Sequence, residues 1–179
     1  NKNSYFPVSS EAGNSDFAAQ DNMDFELINF MRQRIKGNIS YEDFLSGRGI
    51  VNIFNFVRNG KRFKETACTK EINESKIKPE LISRYRKIDG TCKETFRIFK
   101  KIYAGFARNS ALDALPYGGI YIAGGIAPKN KEIFDREFVK MFGQNNKLSH
   151  VLNKIPVYLV LNLNVGLIGA GAAGADMLK

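Results

Sequence analysis

The glycines of this 179-residue chain carry its most informative spacing, above all in the segment GGIYIAGGIAPK at residues 118–129. An apolar stretch runs directly into Gly124 and Gly125, and Pro128 follows where it suits the first turn of a helix. Because glycine has no Cβ, the backbone at this exit can turn sharply and approach a flat or anionic ligand closely. On its own, the segment predicts a buried strand with a tight exit.

A second glycine-rich segment, GAGAAG at residues 169–174, matches the G-x-G-x-x-G pattern of dinucleotide-binding proteins. That pattern requires a following strand and an acidic residue about 20 positions further on, which holds the ribose. Only five residues of this sequence follow Gly174, so we expect no Rossmann site here. The small residues instead predict a helix that packs closely, or whose N-terminus approaches a ligand.

The residues that most often act as nucleophiles, bases or metal ligands are few. Cys68 and Cys92 are the two cysteines, and they stand in no metal-binding spacing. They predict reduced thiols in an intracellular protein, cytoplasmic by default. His150 is the single histidine and lies in a polar segment, which predicts a surface position. The sequence therefore offers no catalytic residue and no metal site of its own.

The composition narrows the class of protein further. The hydrophobic fraction is 44%, which allows a sizeable core, and the net charge is +9. The basic residues are scattered among residues 58–64, 84–87 and 100–101 without an interleaved aromatic motif, so we do not expect nucleic-acid binding. No apolar run is long enough to span a bilayer.

Hydrophobic periodicity predicts mainly helices and two buried strands. Ser40, followed by Glu42 and Asp43, has the pattern of a helix N-cap with acid in the first turn. A turn at 46–49 should separate that short helix from the next one, and residues 59–80 should form a loop with a short helix. We expect the other helices at 24–35, 50–57, 92–106, 131–142 and 166–178, and the strands at 118–123 and 156–162.

Four segments, taken in chain order, carry a family resemblance. They are SEAGNSDFA (10–18), YEDFLSGRGIVN (41–52), the GGIYIAGG segment, and IPVYLV (155–160) with GLIGAGA (166–172). Together they resemble the second half of the bacterial-type glucokinases of the hexokinase superfamily. In that family the first is a sugar-binding Glu-Gly-Gly-His segment, the second reads Glu-x-x-Leu-Ser-Gly-x-Gly-Leu-Val-Asn, and the third lies on the adenosine side. The resemblance covers nearly the whole chain.

The resemblance implies an α/β lobe of the ribonuclease-H-like, hexokinase–actin type, rich in helices and with a partial mixed sheet. It implies that Glu11, Asn14 and Glu42 bind glucose, since a carboxylate can accept hydrogen bonds from two neighbouring hydroxyls at once. It also implies that four glycines lie beside the adenosine part of ATP: Gly124, Gly125, Gly166 and Gly169. ATP and Mg are implied by the family resemblance alone.

The chain also departs from the family pattern. Asn14 stands where the family has histidine, and the family's two phosphate loops and catalytic aspartate have no counterpart among residues 1–179. We therefore expect residues 1–179 to form an incomplete glucokinase-like C-terminal lobe without a catalytic residue. Two hypotheses follow. The chain is part of an active kinase for glucose and ATP, or it is a glucokinase-derived, non-catalytic accessory subunit that binds other proteins.

Overall fold

The computed structural model describes residues 7–177, which form nine α-helices, three short 3-10 turns and two strands. Residues 1–6 and 178–179 lie outside the described part, so the last residue of the predicted 166–178 helix does too. The longer helices, each of eight residues or more, are Asn22–Arg32 (α1), Gly47–Asn59 (α2), Ala67–Glu74 (α3), Lys78–Tyr85 (α4), Gly90–Ala114 (α5), Arg136–Gly143 (α7) and Val165–Met177 (α9). The short ones are Ile126–Lys129 (α6) and Ser149–Leu152 (α8).

One capping device starts most of the long helices. In each case a side-chain oxygen at the N-cap accepts a hydrogen bond from the backbone N–H three residues later, which satisfies one of the unpaired donors of the first turn. The distances lie between 2.9 and 3.2 Å. The caps are Asp21, Ser46, Thr66, Asp89 and Asp135.

The 25-residue helix α5 is the central element of the fold. Its N-terminal part packs in a core with α1, α2 and α4, and its C-terminal part packs in a second core with α7, α8 and the strands. Two adjacent lysines fix it to both sides. The Nζ of Lys100 lies 2.9 Å from Asp135 at the start of α7, and the Nζ of Lys101 lies 2.8 Å from the buried Asp24 of α1.

Within the described residues the sheet consists of two parallel strands, Ile120–Ile122 (β1) and Val157–Leu159 (β2). Both are shorter than predicted, and the prediction that they are buried is wrong. Ile122 packs in the second core, but Tyr121 is 64% exposed and Tyr158 is 45% exposed. The two tyrosine rings stack at 4.9 Å on the open face. Successive side chains alternate between faces, so covering one face leaves the other exposed.

Three other predicted boundaries were wrong because capping signals were missed. Residues 46–49 are not a separate turn, since Ser46 caps α2 and the helix begins at Gly47. Residues 59–80 contain α3 and the start of α4, with Thr66 as cap and Pro79 in the first turn of α4. The predicted 131–142 helix is a 3-10 turn, Lys131–Ile133, followed by a new helix that Asp135 caps.

Helix α9 differs from every other long helix of the described chain, because none of its residues is buried. Leu167 is 76% exposed, and Leu161 and Leu163, in the segment that leads into α9, are also exposed. A Cβ built on any of its four glycines would meet no atom within 4 Å. Among residues 7–177, no helix combines the length and the apolar character needed to cross a membrane.

Candidate functional site

Two segments that are distant in sequence meet at the N-terminal side of the fold. Asp16 and Ser40 form an isolated antiparallel bridge, and the backbone N–H of Phe17 donates to the carbonyl of Ile39 at 2.8 Å. The amide of Asn38 donates to the Asp16 carboxylate at 3.1 Å. These bonds hold the segment that follows Glu11 against the segment that precedes Glu42.

A polar cleft of about 540 Å³ opens between these segments. It brings together two of the three residues predicted to bind glucose, Asn14 and Glu42. Glu11 does not line the cleft, but its Oε2 accepts a hydrogen bond from the Asn14 amide at 3.2 Å. The cleft is also lined by residues with charged guanidinium donors, Arg34 and Arg48, and with neutral amide donors, Asn38 and Asn52.

The Glu42 carboxylate is exposed at this cleft, and within residues 7–177 no hydrogen bond or ion pair engages it. Its neighbour Asp43 is buried, and its side chain is fully engaged. Asp43 Oδ2 accepts from the backbone N–H and the hydroxyl of Ser40, at 2.9 and 3.0 Å. Ser40 is therefore the N-cap that the sequence predicted, although the element it caps is the 3-10 turn Tyr41–Asp43.

The N-terminus of α2 forms another wall of the cleft. Close packing against the preceding turn restricts which residue can stand at one of its positions. Gly49 lies so near the backbone of Phe44 that a Cβ there would be 2.2 Å from the Phe44 carbonyl carbon. Only glycine fits at that distance, which gives a physical reason for the second glycine of the Ser-Gly-x-Gly pattern. One turn later, the Asn52 amide donates to the carbonyl oxygen of Asp43 at 3.0 Å.

Aromatic side chains support the cleft from below. Tyr41 and Phe44 are buried, and the ring of Phe17 lies 5.5 Å from the first and 4.7 Å from the second. Helix α5 completes this layer, because Phe106 packs on Tyr41 at 4.7 Å and the Asn109 amide donates to the Tyr41 hydroxyl at 2.9 Å. The turn that carries Glu42 is thus anchored to the core of the domain.

The predicted adenosine-side glycines follow the two strands and line no part of the cleft. Gly124 has a φ of +103°, a conformation that side chains rarely adopt, and Gly125 caps the single-turn α6 that contains Pro128. Gly166 and Gly169 are exposed in α9. The two pairs are related by the sheet, because the carboxyl ends of parallel strands leave it at one edge, where ligands of α/β proteins bind.

Neither cysteine lines the cleft, and neither does the histidine. No group of three or more His, Cys, Asp or Glu side chains in residues 7–177 could hold a metal ion. Cys92 is fully buried, and this burial, together with the nearby Asp89 carboxylate, raises the pKa of its thiol strongly. Cys68 is half-buried and is also a free thiol, and His150 is exposed, as predicted.

Sequence reasoning did not assign a role to three residues of the cleft: Asp43, Arg48 and Asn52. Asp43 was interpreted only as first-turn acid, and Asn52 only as part of a resembling segment. The spacing from Ser40 to Asp43 could have identified the role of Asp43, since a cap and an acid three residues apart often bond reciprocally. Nothing in the spacing alone indicates that Asn52 reaches back to Asp43.

A protein-family model described as Glucokinase matches residues 1–177 of the chain. Among curated proteins, a glucokinase of Nostoc punctiforme is 35% identical over 190 residues, covering 98% of this chain and 56% of that protein. A glucokinase of Pectobacterium atrosepticum is 33% identical over 172 residues, covering 95% of this chain and 51% of that protein. The chain spans about half the length of the curated relatives it matches.

Solved structures give the same result for the fold. A glucokinase from an Antarctic psychrotroph superposes with a TM-score of 0.75 at 28% identity, over 93% of this chain and 49% of that one. A glucokinase of Balamuthia mandrillaris, solved in complex with glucose, superposes with a TM-score of 0.69 at 14% identity and supports the fold alone. These matches confirm the predicted fold class, a helix-rich part of a hexokinase-type lobe.

Proposed function

Because the chain belongs to the glucokinase family, we propose that it forms the glucose-binding and adenosine-side lobe of a kinase that transfers phosphate from ATP to glucose. In this proposal Glu11, Asn14 and Glu42 hold the sugar hydroxyls. The observation that carries it is the free carboxylate of Glu42 in a polar cleft that Asn14 also lines. An ionised carboxylate is an acceptor of hydroxyl hydrogen bonds, and the surrounding amides of Asn38 and Asn52 can donate and accept.

Asn14 fits the role that the family gives to histidine only in part. Its amide can donate to a sugar oxygen and accept from a hydroxyl, but it cannot carry a charge. The hydrogen bond to Glu11 orients the Asn14 amide with its nitrogen toward Glu11, which leaves the amide oxygen as the acceptor for a ligand. We therefore propose that this position binds the sugar without depending on pH in the range where a histidine titrates.

We propose that the adenosine part of ATP lies at the sheet edge beside Gly124, Gly125, Gly166 and Gly169. The support is the positive φ of Gly124 and the open space around all four glycines, since a Cβ at any of them would meet no atom within 4 Å. Mg, which the family implies, is not assigned a site on this chain, because the described residues offer no cluster of ligands for it. No step of the reaction is derived through it.

We further propose that this lobe completes its site with residues that the 179-residue sequence does not contain. The chain matches about half the length of its relatives, and it contains no counterpart of the family's phosphate loops or catalytic aspartate. The exposed face of the sheet and the exposed helix α9 agree with this proposal. A parallel sheet is normally covered on both faces, yet Tyr121 and Tyr158 are exposed, and α9 buries no residue.

The alternative hypothesis, a non-catalytic accessory subunit, gains no support from the comparisons. Each relative and solved structure reported above is described as a glucokinase. The chain also keeps both carboxylates that the resemblance assigns to the sugar, Glu42 at the cleft and Glu11 bonded to Asn14. We therefore favour the kinase lobe.

Glucose binding tests the proposal directly. In an NMR titration of the 179-residue protein with glucose, we expect resonances of residues near the cleft to shift. The Glu42→Gln variant should bind at least about tenfold more weakly, because hydrogen bonds to a charged acceptor contribute about 1.5–3 kcal/mol. Its stability should change by less than about 0.5 kcal/mol, since no partner in the described residues engages Glu42.

The matched control is Glu74→Gln, which changes an exposed glutamate at the end of α3, outside the cleft. It should leave glucose binding unchanged, and equal losses in the two variants would disprove the assigned site. Incompleteness has a separate test. The 179-residue protein alone should show no glucose-dependent ATP turnover, and turnover that Glu42→Gln abolishes would overturn that part of the proposal. The intact mass of the native protein shows whether further residues are attached.

A further inference from the structure

The two positions that the family's Glu-x-x-Leu-Ser-Gly-x-Gly pattern leaves open nearest the cleft carry opposite charges in this chain. Asp43 follows Glu42 directly, and Arg48 lies between the two glycines of α2. Arg48 reaches back to Asp43 Oδ1 at 3.5 Å, with 71% of its side chain exposed. Asp43 itself is only 8% exposed. A buried acid beside a free one suggests a division of roles, with one carboxylate binding and the other positioning.

From this arrangement we infer that Asp43 is a positioning residue, which fixes the turn that presents Glu42 to the sugar. The inference rests on the proposed glucose site. Its main support is that one carboxylate oxygen, Oδ2, accepts from both the N–H and the hydroxyl of Ser40. These two bonds connect Ser40, at the start of the turn, to Asp43 at its end. The backbone of Glu42, which lies between them, is therefore held from both ends.

Asn52 and Arg48 bind the same residue from α2. Asn52 donates to the Asp43 carbonyl at 3.0 Å, which ties the turn to the second turn of the helix. The Arg48 contact is longer and exposed, so it contributes little. The turn is therefore held mainly by the short hydrogen bonds that Asp43 accepts from Ser40 and Asn52, and the ion pair with Arg48 is secondary.

Asp89 provides a chemically matched control at a place remote from the cleft. It is 3% exposed, and its carboxylate also accepts from one backbone N–H and one hydroxyl, those of Cys92 and Thr66, at 2.9 and 2.6 Å. It caps α5 and lines no part of the cleft. Removing the charge from Asp89 and from Asp43 thus perturbs stability in the same way, but only Asp43 is next to Glu42.

The test compares Asp43→Asn with Asp89→Asn by hydrogen exchange and by glucose titration. In Asp43→Asn, amide exchange in residues 38–46 should accelerate about tenfold, and glucose should bind about tenfold more weakly. In Asp89→Asn, both quantities should stay within about twofold of the unaltered protein, even if the melting temperature falls. Equal changes in the two variants, or unchanged exchange at residues 38–46 in Asp43→Asn, would overturn the inference.

Two further variants keep the outcome unambiguous. Ser40→Ala removes one of the two bonds to Asp43 Oδ2 and should weaken glucose binding about threefold, which tests the inference if Asp43→Asn does not fold; an unchanged affinity would count against it. Glu42→Gln separates the two proposals. If Glu42→Gln leaves glucose binding unchanged, the glucose site is wrong, whereas the exchange measurement still decides whether Asp43 holds the turn.

Discussion

The two sides of this molecule, the polar cleft and the sheet with α9, are built in opposite ways. The cleft rests on a continuous layer of buried aromatic rings, and its turn is closed by bonds from Ser40 and Asn52. The other side has a two-stranded sheet with one open face, and a helix with no buried residue. A two-stranded sheet is too small to be stable without further cover. One side is therefore closed by its own contacts, whereas the other leaves apolar side chains uncovered within residues 7–177.

The contrast between the two sides is tested most directly by replacing one leucine on each side with alanine. Leu27 of α1 is fully buried, and Leu167 of α9 is 76% exposed. Leu27→Ala should lower the free energy of unfolding by about 2–5 kcal/mol, through lost burial and the cavity left behind. Leu167→Ala should change it by less than about 0.5 kcal/mol. Urea unfolding of both variants measures the difference, and a large loss in Leu167→Ala would show that α9 is already covered.

A pair of glycines gives a smaller effect, and the two should differ in sign. Gly49→Ala places a Cβ 2.2 Å from the Phe44 carbonyl carbon, and such overpacking should cost about 1–3 kcal/mol of stability. Gly169→Ala meets open space within a helix and should stabilise by about 0.5–1 kcal/mol, because alanine is the better helix former. Thermal unfolding distinguishes the two, and a destabilised Gly169→Ala would indicate a close neighbour of α9.

Charge should distinguish the two sides least. Asp21 caps α1, which packs in the first core, and Asp135 caps α7, which packs in the second core. Both carboxyls are partly desolvated, which by itself raises a carboxyl pKa. In each case the net pKa is nevertheless lowered from 3.8, by a hydrogen bond from Lys101 in the first and from Lys100 in the second. A lowered pKa in the folded state adds stability above about pH 4, and that stability is lost as the pH falls further.

The variants Asp21→Asn and Asp135→Asn should therefore each lose less stability than the unaltered protein between pH 5 and pH 2. The difference should be about 0.5 kcal/mol or less, because both aspartates are about half exposed and solvent screens their ion pairs. Asparagine can still cap a helix, so the substitutions remove mainly the charge. Unfolding free energies measured across this pH range check the prediction. A much larger effect at one aspartate would mean that charge, as well as apolar packing, separates the two sides.

The sequence predicted the better-packed side more accurately than the other. Periodicity predicted a helix at 92–106, which lies within α5, although α5 continues to Ala114. Ser40 was predicted as a cap, and the capped turn exists. In the candidate site, Asn14 and Glu42 line one cleft and Glu11 contacts Asn14, while glucose binding by these three residues stays a prediction.

The failures have two physical origins. The apolar strands read as buried because hydrophobic side chains usually lie in a core, whereas here Tyr121 and Tyr158 stack on an open face. Sequence composition cannot show whether the residues that cover such a face belong to the same chain. The roles of Asp43 and Asn52 were missed for another reason, since they arise from contacts between a turn and the helix that follows it.

Helix α5 also has a mechanical consequence. Its 25 residues extend about 37 Å at 1.5 Å per residue, and it contains no proline at which to kink. Phe106 and Asn109 connect it to the turn of Glu42, while Ala104 and Ala111 pack in the core that holds Ile122 of β1. The same rod thus joins the turn of Glu42 to the second core. We expect these two regions to move as one rigid body, and a hinge for any closure of the molecule to lie outside α5.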